Sequence, residues 1–176
     1  MKILKISAIV LAVLAVIVFA GGLLLPRQYE VSRSLLINAG SDRLFPVVAT
    51  LSEWPMWSAW TEKKFPGMVT SYSGAASGVG AKSAWQGEAS GNGAMEITRA
   101  DPQSGITYTL ELEGFHPSQG SIEFVSQDTA TKVTMRMRGD LGANPAFRWF
   151  GLMMDGMMGK DFEEGLQGLK RLAEAN

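Results

Sequence analysis

Ile106-Thr107-Tyr108-Thr109-Leu110-Glu111-Leu112-Glu113 alternates apolar and polar side chains without a break. Successive side chains of a strand point to opposite faces, so this stretch reads as a strand with Tyr108, Leu110 and Leu112 on one face and Thr107, Thr109, Glu111 and Glu113 on the other. The same pattern recurs in Met68–Ser73, Ala81–Gln86, Ala94–Ala100, Ser121–Ser126 and Thr131–Arg138, with turns such as Gly87–Gly93 and Asp101-Pro102 between them. Trp85, Met95, Ile97, Ile122, Phe124, Val133, Met135 and Met137 extend the apolar face. Lys82, Gln86, Glu96, Thr98, Glu123, Thr134, Arg136 and Arg138 extend the polar one. Period-two patterning with one polar face predicts an antiparallel sheet, wet on one side and covered on the other.

The cover lies at the C-terminal end. Asn144-Pro145 is a good N-cap and N1 pair. Beyond it Phe147, Phe150, Met154, Met158, Phe162, Leu169 and Leu172 share one side of a helix, and Glu163, Glu164, Gln167, Lys170, Arg171 and Glu174 mostly take the other. Gly151, Gly156 and Gly159 weaken the first half of this helix and predict a kink there. On the N-terminal side, Tyr29–Ile37 reads as a first strand. Ser41 is placed to cap a short helix over Asp42–Leu51, which Pro46 shortens or kinks. The expected fold is α+β, with a curved antiparallel sheet gripping one long C-terminal helix.

Ahead of this domain runs Ile6–Leu25, with thirteen strong hydrophobes and no charge, between Lys2 and Lys5 on one side and Pro26-Arg27 on the other. As a helix it is about 30 Å long, the thickness of a bilayer's hydrocarbon core. The expected organisation is a transmembrane anchor over 1–26 and a single globular domain over 27–176, joined by the short linker Pro26–Gln28. Two alternatives are a signal peptide cleaved after Val18-Phe19-Ala20, and a buried helix of a soluble protein. Lys2 and Lys5 favour a cytoplasmic N-terminus and a domain outside the cytoplasm, at the inner membrane. Arg27, Arg33 and Arg43 weigh the other way.

Composition excludes several chemistries. There is no cysteine and a single histidine, so disulfides, thiolate nucleophiles and Cys-based metal sites are ruled out, and no metal or cofactor is expected. After Pro26 the chain carries fourteen basic and seventeen acidic residues, without the basic stripe of a nucleic-acid binder. The glycine loops Gly74–Gly80 and Gly87–Gly93 join strand to strand, whereas phosphate cradles join strand to helix. His116 precedes Pro117 in a turn and reads as a loop histidine. No nucleophile elbow is present.

Several stretches resemble the START-like, helix-grip proteins related to Bet v 1 and the polyketide cyclase/dehydrase group, and in particular membrane-anchored bacterial members. These are Glu53-Trp54-Pro55-Met56-Trp57-Ser58-Ala59-Trp60, Tyr72-Ser73-Gly74 through Gly78-Val79-Gly80-Ala81, Trp85-Gln86-Gly87, and Gly159-Lys160-Asp161-Phe162-Glu163-Glu164-Gly165-Leu166-Gln167-Gly168-Leu169-Lys170. The resemblance covers 27–175. It implies an apolar ligand held between sheet and helix. Some members are enzymes, and the family has no universal catalytic set.

On that basis the expected ligand-facing residues are Trp85, Met95, Tyr108, Met135, Met137, Phe150, Met154 and Asp161, with no catalytic residue assigned. Trp54, Trp57 and Trp60 recur every third residue and read either as a packing cap or as a lid over an apolar pocket. Methionine is frequent on the inner surfaces, where its flexible thioether suits an adaptable site. Asp161 and Arg33 stand out as charges in apolar phase. They are expected to pair, to face a ligand's polar head, or to reach water near element ends. Arg148 and Asp155 are expected to contact each other. The leading function is binding of a small hydrophobic molecule or lipid at a membrane. The alternatives are a cyclase or dehydratase working through Tyr108, Asp161 or Arg33, and a protein-interaction scaffold with a filled interior.

Overall fold

A computed structural model describes residues 2–175. Helix α1 spans Lys2–Leu24, strand β1 Gln28–Ile37 and helix α2 Ser41–Ala49, followed by a 3₁₀ turn over Leu51–Met56. Strands β2 Val69–Gly74, β3 Ala81–Gln86, β4 Gly93–Asp101, β5 Gly105–Leu112, β6 Ser118–Gln127 and β7 Ala130–Asp140 come next. A 3₁₀ turn at Pro145–Phe147 leads into helix α3, Arg148–Glu174.

The strands form one seven-stranded antiparallel sheet in the order β1-β7-β6-β5-β4-β3-β2. The first strand closes onto the last, with Val31 opposite Met137 and Leu35 opposite Val133. Register slips between Ile97 and Arg99 on β4. A bulge there bends the strand and adds to the curvature that lets the sheet wrap a helix. The alternation read from the sequence holds. Ile97, Ile122 and Val133 are fully buried on the inner face, with Met95, Tyr108, Leu110, Phe124, Met135 and Met137 beside them. Each such side chain contributes roughly 1.5–3 kcal/mol relative to an exposed one.

The covering elements differ from expectation in detail. The cap position of α2 is Gly40 and has no side-chain bond, and the helix begins at Ser41 itself. It stops at Ala49, short of Leu51, which opens the following turn. Asn144 caps as expected, accepting from the Ala146 N–H at 3.0 Å. Helix α3 is unbroken across Gly151, Gly156 and Gly159.

Gly159 and Gly168 allow close approach. A Cβ on Gly159 would overlap the Arg33 guanidinium, and one on Gly168 would overlap the Trp57 carbonyl. Only the second half of α3 sinks into the core, through Phe162, Leu166 and Leu169. Helix α1 is exposed along most of its described length and is long and apolar enough to cross a membrane over Lys5–Leu24.

Candidate functional site

Between the inner face of the sheet and the middle of α3 lies a cavity of about 120 Å³. One water needs about 10–15 Å³ by the same measure, so the space far exceeds a single solvent site. Strand periodicity supplies one wall: Thr70 and Tyr72 from β2, Ser83 and Trp85 from β3, Met95 from β4, Tyr108, Leu110 and Leu112 from β5, and Met135 and Met137 from β7. Helix α3 supplies Met158, Asp161, Phe162 and Gly165, and the segment after α2 supplies Leu51, Trp54, Pro55, Ser58 and Trp60.

Six of the eight expected ligand-facing residues meet here: Trp85, Met95, Tyr108, Met135, Met137 and Asp161. Phe150 and Met154 do not. On α3 the cavity lining starts at Met158, one turn beyond Met154, and Phe150 lies about 120° around the helix from Phe162. Phe150 is consequently exposed and stacks on Phe147, with centroids 6.0 Å apart. Met154 is half-buried at the edge of the core.

Sequence reading did not assign Ser83, Thr70 or Tyr72 to the site. Ser83 shares strand phase with Ala81 and Trp85, which was the available signal.

The tryptophan triplet divides its roles. Trp54 and Trp60 face the cavity, while Trp57 is buried beneath α3. The Trp54 indole N–H donates to the Val48 carbonyl at 2.9 Å, fixing the segment to α2. Trp54 meets Tyr108 edge-on with centroids 5.7 Å apart, and Trp60 packs on Trp85 at 5.9 Å and on Phe65 at 4.9 Å. These contacts make an aromatic rim.

The site's polar groups are few. Tyr108 is 3% exposed and lines the cavity. Burial pushes its phenol well above the usual tyrosine range, so it is neutral and able to donate. Its ring lies over Gly120, its cross-strand partner, where any Cβ would collide. The Trp85 indole N–H is buried and unpartnered among the described residues.

Asp161 accepts from Lys64 Nζ at 2.5 Å, and Glu164 accepts from the same ammonium at 3.1 Å. Burial alone would lower the Lys64 pKa, but the two carboxylates outweigh it and hold the group above its ordinary value.

Arg33 pairs elsewhere. It binds Asp155 through two bonds of 2.7 and 2.9 Å and donates Nε to Glu163 at 2.6 Å. Of the readings open for Arg33 and Asp161, mutual pairing is not found; each has its own clasp. Asp155 and Glu163, eight residues apart, fall about 80° from each other around the helix, whereas Asp161 turns about 200° away from Glu163. Arg148 likewise leaves Asp155 to Arg33 and turns to the end of α1.

Among the described residues no group of three or more His, Asp or Glu side chains is placed to hold a metal ion. His116 packs near Gly142, outside the cavity wall. The arrangement can therefore enclose an apolar body, offer it a neutral hydroxyl, and close over it with an ion-paired rim.

Solved structures share this architecture. TTHA0849 from Thermus thermophilus is 16% identical, with a TM-score of 0.63 over 83% of this chain and 97% of that one. The di-domain ARO/CYC StfQ from the steffimycin biosynthetic pathway is 11% identical, with a TM-score of 0.64 over 84% of this chain and 51% of that one. Ara h 8.0201 is 14% identical, with a TM-score of 0.53 over 84% and 95%. At these identities the likeness is one of fold. No curated protein sequence matches the chain. The family model for polyketide cyclase / dehydrase and lipid transport matches residues 28–174, from the first strand to the end of α3. The chain thus belongs to the polyketide cyclase/dehydrase and lipid transport family and has a Bet v 1-like helix-grip fold.

Proposed function

We propose that the chain is a membrane-anchored binding protein for a small hydrophobic molecule or lipid, with residues 1–26 as the anchor and 27–176 as the binding domain. The observation that carries this reading is the cavity. Its walls are mostly thioether, aliphatic and aromatic, with the neutral Tyr108 phenol and the Trp85 indole N–H, which lacks a protein partner among the described residues, as polar groups in the lining residues. Apolar concavities with a few placed polar groups are the usual form of small-molecule sites. The neutral Tyr108 hydroxyl in this lining favours a ligand that carries an acceptor oxygen, such as a carbonyl or ester. The exposed apolar span of α1 supports placement at a bilayer, with the domain on the non-cytoplasmic side as Lys2 and Lys5 favour.

The test is native mass spectrometry of the full chain released from detergent, before and after addition of oleic acid. An apolar adduct that is lost when Ser83→Phe fills the cavity is the expected result. Absence of any adduct, in either condition, defeats the reading.

A cyclase or dehydratase activity is the second reading. It is favoured by one observation: a neutral phenol, Tyr108, and a carboxylate, Asp161, line the same cavity. Turnover of a polyketide-type substrate that is abolished in Tyr108→Phe while binding persists would select it over simple binding. An open cavity weighs against a scaffold with a filled interior.

A further inference from the structure

Helix α3 changes character along its outward side. From Lys160 onward that side is Lys160, Glu163, Glu164, Gln167 and Arg171, all exposed and polar. Before Gly159 the exposed residues include Trp149, Phe150, Leu152, Met153 and Met157, with Leu152 at 62% and Met157 at 59%. Between Pro145 and Gly159 the charges are Arg148 and Asp155 alone, and both are held by protein groups. Asp155 is gripped by Arg33. Arg148 Nη1 lies 3.3–3.4 Å from the carbonyls of Gly22, Leu23 and Leu25 at the end of α1, the first of which also accepts from the Leu25 N–H, while its Nε is buried without a partner among the described residues.

The same end of α3 is tied to α1. The Trp149 indole N–H donates to the Val18 carbonyl at 3.0 Å. Val18 stands six residues before Leu24, about 9 Å inside the apolar helix. Gly21 and Gly22 form the notch that permits this: a Cβ on Gly21 would stand 2.7 Å from the Trp149 ring, and one on Gly22 would overlap the Pro145 carbonyl. The first turns of α3 are therefore level with the last turns of α1, and what they present outward is apolar.

We infer that Phe147–Met157 is a membrane-interface face, and that its partner is the outer layer of the same bilayer that holds α1. This rests on the reading of α1 as an anchor. The occupant is lipid because the face continues the lipid-facing surface of α1 and its two charges are turned to protein, Arg148 to the carbonyl end of α1 and Asp155 to Arg33. On α3 the cavity lining begins at Met158, directly past this face.

The chain lacks cysteine, so single spin labels can be placed cleanly. Leu152→Cys, Met153→Cys and Met157→Cys are labelled in the full chain, reconstituted in vesicles of equal phosphatidylcholine and phosphatidylglycerol. Val13→Cys serves as the bilayer reference and Glu111→Cys, on the polar face of the sheet, as the water reference. Collision rates are read with dissolved oxygen and with a water-soluble nickel chelate. The expected result at 152, 153 and 157 is a reversal of the oxygen-to-chelate preference seen at 111, in the direction of 13. Labels at these three positions that behave like 111, while 13 reports lipid, overturn the inference and leave the anchor standing. Protection from both reagents shows a protein partner or a second copy and also overturns it. A water-like signal at 13 removes the anchor itself, and this inference with it.

Discussion

Gly168 of α3 faces the backbone of Trp57 so closely that a Cβ on it would overlap the Trp57 carbonyl oxygen. Backbone does not swing aside as a side chain does, so Gly168→Ala is expected to lift α3 off the segment that caps the cavity. A cost of about 1–3 kcal/mol follows from overpacking of this kind. Gly156 is the contrast, since nothing lies within 4 Å of its added Cβ. There Gly156→Ala is expected to stabilise by up to ~1 kcal/mol through helix propensity. Urea unfolding of the full chain in detergent, followed by tryptophan fluorescence, checks the opposite signs.

Ser83 is 7% exposed and lines the cavity. Ser83→Leu adds apolar volume into existing space, so the native fold is expected to survive with a change of less than ~1.5 kcal/mol. Binding of oleic acid is expected to weaken because the added methyl groups occupy its volume. Unchanged binding by native mass spectrometry would place the ligand elsewhere.

The strands and their inward faces were legible because burial on one side of a sheet enforces a period of two, and a one-residue slip would invert every side chain. The helix was legible by its period, but period reports a face and not where the facing surface stops. Phe150 stands at the margin of that face, about 120° around α3 from Phe162, and is exposed. Charge pairing was less legible still. Arg33 was rightly read as lying in apolar phase, but choosing Asp155 and Glu163 over Asp161 needs the rotation of α3 about its axis. Gly168 gave no signal, because the absence of a side chain carries no periodicity.

Lys64 joins the loop before β2 to Asp161 and Glu164 on α3, beside the cavity. Its side chain is 34% exposed, so the clasp is expected to be worth no more than ~1 kcal/mol after solvent screening. Asp161→Asn is expected to speed release of a bound fatty acid by up to about fivefold, the same energy expressed as a rate. Raising the salt concentration should have a similar effect on the unsubstituted chain. Stopped-flow displacement measures both, and rates insensitive to substitution and salt would mean that the pair does not latch the site.

Acid should loosen the edges of the sheet. Hydrogen bonds from Arg138 and Arg136 hold Glu30 below its ordinary value, those from Arg27 and the Gly142 N–H do so for Asp140, and that from Arg33 does so for Asp155. A carboxylate whose folded pKa is depressed contributes stability fully above its unfolded value, 4.5 for Glu and 3.8 for Asp. That contribution is lost as pH falls through the folded value. Unfolding midpoints are therefore expected to drop below about pH 4. Arg33→Gln is expected to flatten that drop, since Asp155 then titrates alike in both states.

Alkali isolates Tyr108. Burial raises its folded pKa above the unfolded value of 10.0, so the folded chain keeps a proton that the unfolded chain releases. Stability from this group is complete below pH 10 and declines as pH rises toward the folded value, with a slope of up to ~1.4 kcal/mol per pH unit. Tyr72 is also raised by burial, and Lys64 is held above its ordinary value by its carboxylates, so both add alkaline loss of their own. The difference between the unsubstituted chain and Tyr108→Phe cancels those shared contributions. Tyr108→Phe is expected to match the parent near neutral pH and to exceed it increasingly above pH 10, as read by urea midpoints across the alkaline range. Equal alkaline loss in the two chains would show that the folded state does not hold the Tyr108 phenol neutral.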